Sequence, residues 1–204
     1  MLIRHAHARG NGGNGCRPVL QGRTDSPLSS RGEQEARLLR GHLGAGPPFS
    51  AIYASPLRRA RETAAPLSTS GLGCLQLCAD LQEIDCGTLD GMPLDDVRGR
   101  YPELWAANLR QADEQFRWPG GESYREFRER CLAIAAELAA RHRGRIALVT
   151  HAGVVSQVIG ALTGLSPARW EVFRPGHTAL TEIEWGTRGA RVLSFDARPH
   201  LQPA

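Results

Sequence analysis

The chain has 204 residues, 41% of them hydrophobic and 23% charged, with a formal net charge of +4. That balance suits one compact domain with a sizeable buried core and excludes disordered and collagen-like classes. All 25 basic residues are arginine, which excludes chemistry that needs a Schiff-base lysine or a Walker-type phosphate lysine.

In chain order, an apolar strand tip, Leu2-Ile3, runs straight into Arg4-His5 after a lead-in of only three residues. Gly10 to Gly15 matches the letter of a G-x-G-x-x-G nucleotide fingerprint. Cys16-Arg17-Pro18 follows where a helix must begin, however, so the stretch reads as a flexible loop. Gln21 to Leu28 is a polar turn, and Ser30-x-x-Glu33 reads as a capping box that opens a helix through about Leu43. Ala51 to Ala54 is a buried strand, and Ser55-Pro56 supplies an N-cap and a helical proline before Arg58, Arg59 and Arg61. Leu75 to Cys78 predicts a third strand, leading into a glycine-punctuated loop from Leu81 to Gly87. Short helical pieces at Leu94 to Arg100 and Glu103 to Arg110 form an insertion around 90–118, with Trp105, Phe116 and Trp118. Such an insertion is expected to be a cap that selects the substrate. After Pro119 to Ser123 the longest helix runs to about Arg141, with Phe127, Cys131, Ile134 and Leu138 at helical spacing. Arg145 to Val149 is a buried strand, and Thr150-His151-Ala152-Gly153 turns it into an apolar helix, Val154 to Leu162. Thr178 to Glu184 and Arg191 to Phe195, separated by Gly186 to Gly189, make a terminal hairpin. Strands alternating with helices predict a three-layer α/β/α fold on a mostly parallel sheet.

Three strand-to-helix junctions therefore deliver Arg4 and His5, Arg59, and His151 to one edge of one sheet, where open α/β folds bind ligands. Other features have plainer readings. The five cysteines are odd in number and lack paired CxxC spacing, which points to free thiols in a reducing, cytoplasmic setting and against zinc. The arginines are interleaved with acids, so the surface is a solvated mixed-charge one and not a nucleic-acid interface. No apolar run reaches the roughly 20 residues of a membrane span. His42, His142 and His200 are expected to be solvated, and Asp85 to be a loop carboxylate with no chemical role.

Leu2-Ile3-Arg4-His5-Ala6, with Asn11 six positions after His5, resembles the Arg-His-Gly signature of the histidine phosphatase superfamily, the phosphoglycerate mutase-like fold. Later blocks are similar to that family's motifs in the same order. They are Gln21-Gly22-x-x-Asp25-x-Pro27-Leu28 with Gly32, Ser55-Pro56-Leu57-x-Arg59, Leu81-x-Glu83 with Gly87, Gly120-Gly121-Glu122-Ser123, and Thr150-His151-Ala152-Gly153. Three departures stand out: Ala6 replaces the usual glycine, the first strand is short, and His177 takes a place where the family often has a residue such as Asn.

The resemblance implies a metal-independent phosphomonoester hydrolase that acts through a phosphohistidine at His5, without cofactor, on a small phosphorylated metabolite. The nearest branch is that of the broad phosphatases and α-ribazole phosphatases. Arg4, Arg59 and His151, helped by Asn11, are expected to hold the phosphoryl oxygens, with Glu83 as general acid. Arg23 and Ala152 complete the expected substrate-binding set. A cofactor-dependent phosphoglycerate mutase and a non-catalytic phosphate-binding protein are the alternative readings. Nothing in the pattern specifies an oligomeric state.

Overall fold

The interior parallel strands carry apolar residues on both of their faces, and the computed structural model packs helices against both. Residues 1–13, 15–186 and 189–202 are described. Asn14, in the Gly10 to Gly15 stretch, and residues 187–188, in the expected hairpin turn, lie outside them.

Six strands form one sheet: β1 (Leu2–Arg4), β2 (Ala51–Ala54), β3 (Leu75–Leu77), β4 (Ile146–Thr150), β5 (Leu180–Gly186) and β6 (Gly189–Ala197). Their order is β3-β2-β4-β1-β5-β6. The first four run parallel, and β5 and β6 close the sheet as an antiparallel pair. The short first strand is compensated by its position. It is paired on both sides, with Arg4 in register with Thr150 and Ile3 with Leu180.

Two helices, α1 (Ser30–Gly44) and α2 (Arg58–Thr69), cover one face of the sheet. There Leu39, Leu43, Ala60 and Leu67 meet Ile3, Ile52 and Val149. The other face takes α5 (Tyr124–Arg141) and α6 (Ala152–Leu162), whose Phe127, Leu138 and Val158 meet Leu2, Tyr53 and Leu148. Neighbouring residues along a strand thus feed opposite cores, as the two-residue period of a strand requires. Burying each such side chain contributes about 1.5–3 kcal/mol. Between β3 and α5 lie two short helices, α3 (Leu94–Arg100) and α4 (Pro102–Arg110). They pack in a separate cluster with Leu89, Val97, Phe116, Trp118 and Tyr124.

Several helix starts differ from the sequence reading. The N-cap of α1 is Ser29, one residue earlier than expected, and its hydroxyl accepts from Gly32 N. That choice frees Ser30 for the first helical turn. Helix α2 begins at Arg58 behind Leu57, not at Ser55-Pro56. Ser55 is drawn instead to His151, as described below. The last strand pair starts at Leu180 because Thr178 turns the chain at φ 53. The capping box at Ser123 and Glu126 is reciprocal and fixes the start of α5.

Candidate active site

His5 leaves β1 at the carboxyl end of the parallel strands and is 3% exposed. Its Nδ1–H donates to the Ala6 carbonyl at 2.7 Å. A carbonyl can only accept, so the neutral ring carries its proton on Nδ1 and keeps the Nε2 lone pair free. Burial, and then the neighbouring charges of Arg59, His151 and Arg4, push the His5 pKa well below the ordinary imidazole value. The ring is therefore an unprotonated nitrogen base at neutral pH. Ala6 sits in ordinary backbone geometry and donates its N–H to Thr63 Oγ1 at 3.0 Å, so the extra methyl is accommodated without strain.

Arg4 is 7% exposed and donates through Nη1 to Pro175 O at 2.7 Å and through Nη2 to His177 Nε2 at 3.0 Å. Its Nε–H is buried with no partner among the described residues. An unsatisfied guanidinium donor beside a nucleophilic nitrogen is suited to an anion's oxygen. Burial lowers the Arg4 pKa to about 10, which leaves it charged at neutral pH.

Arg59 and His151 stand behind this pair. The two imidazole rings of His5 and His151 lie 5.2 Å apart between centroids. Arg59 Nε donates to His151 Nδ1 at 3.2 Å, so the neutral His151 ring carries its proton on Nε2 and donates to Ser55 Oγ at 2.8 Å. The other Arg59 nitrogens donate to Thr24 O and Gly22 O, both at 2.7 Å. The same loop is gripped from its other side by Asp90, which accepts from the backbone N–H groups of Gly22, Arg23 and Thr24. Sequence reasoning brought Arg59 and His151 to the right edge but missed Ser55 and Asp90. No motif signal distinguishes an aspartate that collects loop N–H groups from any other loop aspartate.

Glu83 is 9% exposed. One carboxylate oxygen accepts from Gly153 N at 2.9 Å, in the first turn of α6, and the other from Ile84 N at 3.0 Å. A Cβ on Gly153 would lie 2.1 Å from Glu83 Oε1, so only glycine permits this approach. Arg130 holds the loop from beneath, donating to Asp80 O at 2.7 Å and Gln82 O at 3.0 Å while pairing with Glu122 at 2.7 Å.

Arg4, His5, Asn11, Glu83 and Ala152 all line one cavity of about 330 Å³. Asn11 is committed to local bonds, accepting from Ala8 N and donating to Gln21 Oε1. Arg23 is not brought to this cleft: its guanidinium pairs with Asp85 at 3.0 Å. An aspartate one loop away thus takes the cation that nearness in sequence had assigned to the substrate. Two of the outer histidines are also not merely solvated. His142 meets Tyr53 Oη at 2.9 Å, and His200 meets Thr178 Oγ1 at 2.8 Å. His7 lies 2.8 Å from Ser29 Oγ and its ring stands 5.1 Å from that of His177. The reading also missed Trp170, Glu171 and Arg174, which reach the cavity from the irregular segment after α6.

A parallel-strand edge that presents an unprotonated imidazole nitrogen, buried guanidinium groups and a carboxylate defines a protein built to act on an oxyanion. The sequence matches the model of the histidine phosphatase superfamily (branch 1) over residues 1–198. The chain belongs to that family, and it is an α/β enzyme of the histidine phosphatase kind.

Among its relatives, the "Metal-independent phosphoserine phosphatase" of Arabidopsis thaliana is 28% identical over 171 residues, covering 82% of this chain and 70% of that protein. The "Probable phosphoglycerate mutase GpmB" of Salmonella choleraesuis (strain SC-B67) is 30% identical over 186 residues, covering 90% and 83%. The solved α-ribazole phosphatase of Shigella flexneri shares the fold, with a TM-score of 0.82, 24% identity and coverage of 97% and 95%. These three names describe three different reactions, so resemblance alone does not select a substrate.

Proposed function

We propose that the chain hydrolyses phosphomonoesters of small metabolites through a phosphohistidine at His5. The observation that carries this reading is the His5 Nδ1–H bond to Ala6 O, which leaves Nε2 as the only free ring nitrogen. In the first step Nε2 attacks phosphorus and the phosphorus–oxygen bond to the alcohol breaks. Protonated Glu83 gives its proton to the leaving alkoxide. In the second step a water attacks the phosphoryl group on His5, Glu83 takes the water's proton, and phosphate departs with His5 restored. Arg4 offers its unpartnered Nε–H to a non-bridging oxygen, while Arg59 and His151 add positive potential and an N–H that Ser55 otherwise receives. Asn11 and the helix terminus at Ala152 border the same space. The charge needed by the transition state is supplied by arginine, so the reading calls for no metal and no cofactor.

The segment around 90–118 acts as a cap over the leaving group, on a single domain spanning 1–204. The five cysteines, free in the structure, favour a cytoplasmic setting. α-Ribazole 5′-phosphate is one candidate substrate, since its alcohol carries an aromatic base. The mutase reading needs a second strong anion site, and among the described residues the cavity offers beyond Arg4 only Arg174, 3.8 Å from Glu171.

The test is turnover of p-nitrophenyl phosphate in the presence of EDTA, with acid-labile label captured on the protein by rapid quenching. Hydrolysis and an acid-labile phosphoenzyme, both lost in His5→Ala, are expected. Absence of turnover with intact fold, or turnover abolished by the chelator, sinks the proposal.

A further inference from the structure

Beyond the reacting groups, the cavity changes character. Another part of its lining is formed by Trp105, Leu109, Trp118, Tyr124 and Trp170. This wall is held in shape from behind. Phe116 stacks on Tyr124 at 5.4 Å and meets Trp118 edge-on at 5.1 Å. Trp118 and Tyr124 are 3% and 5% exposed, so these rings are packed in place before any ligand arrives. A volume of about 330 Å³ lies within the range of sites for small organic ligands.

The charges in the same space are as informative as the rings. Arg4 belongs to the phosphoryl end, and the remaining lining guanidinium, Arg174, sits 3.8 Å from Glu171. Glu83 and Glu171 both face the cavity. A carboxylate on the leaving alcohol would meet the Glu171 carboxylate at the mouth of a space walled by apolar rings, with Arg174 shared between the two anions. Another lining residue, Gln21, keeps a buried amide N–H donor with no partner among the described residues. Gln21 is fixed by the Asn11 amide, which donates to its Oε1 at 3.0 Å. An amide N–H can only donate, so an acceptor atom on the ligand is the complementary group.

We infer that the leaving alcohol is an uncharged aromatic or heteroaromatic one bearing a hydrogen-bond acceptor, and that carboxylate-bearing phosphoesters are rejected. This deepens the hydrolase reading above and rests on it for turnover, but not for binding. The alcohol's rings lie against Trp105 and Trp170, an acceptor atom takes the Gln21 N–H, and its phosphate reaches His5. Glu171 supplies the discrimination against a second anion.

The test compares kcat/KM for three alkyl phosphates of similar leaving-group basicity, 2-(1-naphthyl)ethyl phosphate, ethyl phosphate and 3-(phosphonooxy)propanoate, so that intrinsic reactivity does not decide the order. The naphthyl ester is expected to exceed both others by at least about tenfold. Trp105→Ala should shrink the naphthyl-to-ethyl ratio by about tenfold, and Glu171→Gln should raise 3-(phosphonooxy)propanoate relative to ethyl phosphate. Binding of 2-(1-naphthyl)ethanol to the His5→Ala protein, read by tryptophan fluorescence, requires no chemistry. Use of 3-(phosphonooxy)propanoate equal to or better than that of the naphthyl ester overturns the inference while leaving the hydrolase intact. No turnover of any ester, with the alcohol still bound, overturns the hydrolase and supports the cleft's preference. Absence of both turnover and binding overturns both.

Discussion

The floor and the aromatic wall of the cleft are built on opposite principles. The floor is polar and buried at the sheet edge: Arg4 and His5, which line the cavity, and Arg59 and His151 behind them are at most 7% exposed, and each is held by named hydrogen bonds to backbone or side chain. The wall is aromatic, comes from α4, the first turn of α5 and irregular segments, and holds its shape by ring packing. Hydrogen bonds to a sheet edge fix positions to the tolerance that bond making requires, whereas apolar packing fixes shape but tolerates exchange of similar volumes. The chemistry is therefore expected to break abruptly when the floor is altered, and selectivity to drift gradually when the wall is.

The largest effect belongs to His5. Replacing it with Ala is expected to reduce kcat by on the order of 10⁴-fold or more, because the covalent route is removed. Residual turnover above that level in a quenched-flow assay would assign the nucleophile elsewhere. Next comes Gly153→Ala. Its Cβ would sit 2.1 Å from Glu83 Oε1 and 2.9 Å from Phe127 Cε1. Displacement of the carboxylate is expected to lower kcat by about 10²-fold, with circular dichroism unchanged. Loss of fold instead of rate would show that Gly153 serves packing alone.

These two positions also mark how much was legible in the chain. Arg4, His5, Arg59 and His151 could be found because a strand end followed by a helix start puts short sequence blocks at a predictable edge. Glu83 could be found only through its place in an ordered set of blocks. What holds these residues was not legible. Ser55 looks like a helix cap and is a partner of His151, and Asp90 looks like any polar loop residue while it collects three N–H groups. Both depend on loops meeting in space, which no periodicity records. Arg23 shows the converse, since its charge and nearness suggested the substrate but Asp85, 62 positions away, captures it. The segment carrying Trp170 and Arg174 has no helical or strand period, so its part in the cavity came only from the structure.

A smaller effect separates the floor's chemistry from its support. His177 accepts from Arg4 Nη2 at 3.0 Å, with Pro175 O taking the other terminal nitrogen. As a positioning residue it should matter by about tenfold, far less than His5. His177→Ala is expected to lower kcat with little change in KM, and His177→Gln, which keeps an acceptor, to recover most of the loss. Failure of Gln to rescue would assign His177 to packing.

The smallest effect per group is thermodynamic, and it again divides floor from wall. His5, His151 and His177 are all held below the ordinary imidazole range, chiefly by burial and then by neighbouring cations, Arg59 for the first two and Arg4 for His177. No histidine lies between residues 90 and 118. The unfolded chain binds protons on these three groups as pH falls below about 6.5, while the folded chain does not. Stability is thus fully present above pH 6.5 and declines below it, by up to about 1.4 kcal/mol per pH unit for each excluded imidazole. Hydrogen exchange at Leu2–Arg4 and Ile146–Thr150, which carry the floor, should accelerate on lowering pH from 7 to 5 after correction for the intrinsic rate, because those strands open only with the sheet. Exchange in Leu94–Arg110 should change less, since that helical pair can open without exposing a histidine. His177→Gln should flatten the dependence for the strands alone. Equal acceleration of both regions would mean that floor and wall unfold as one unit, and the division drawn from their packing would then hold for chemistry but not for stability.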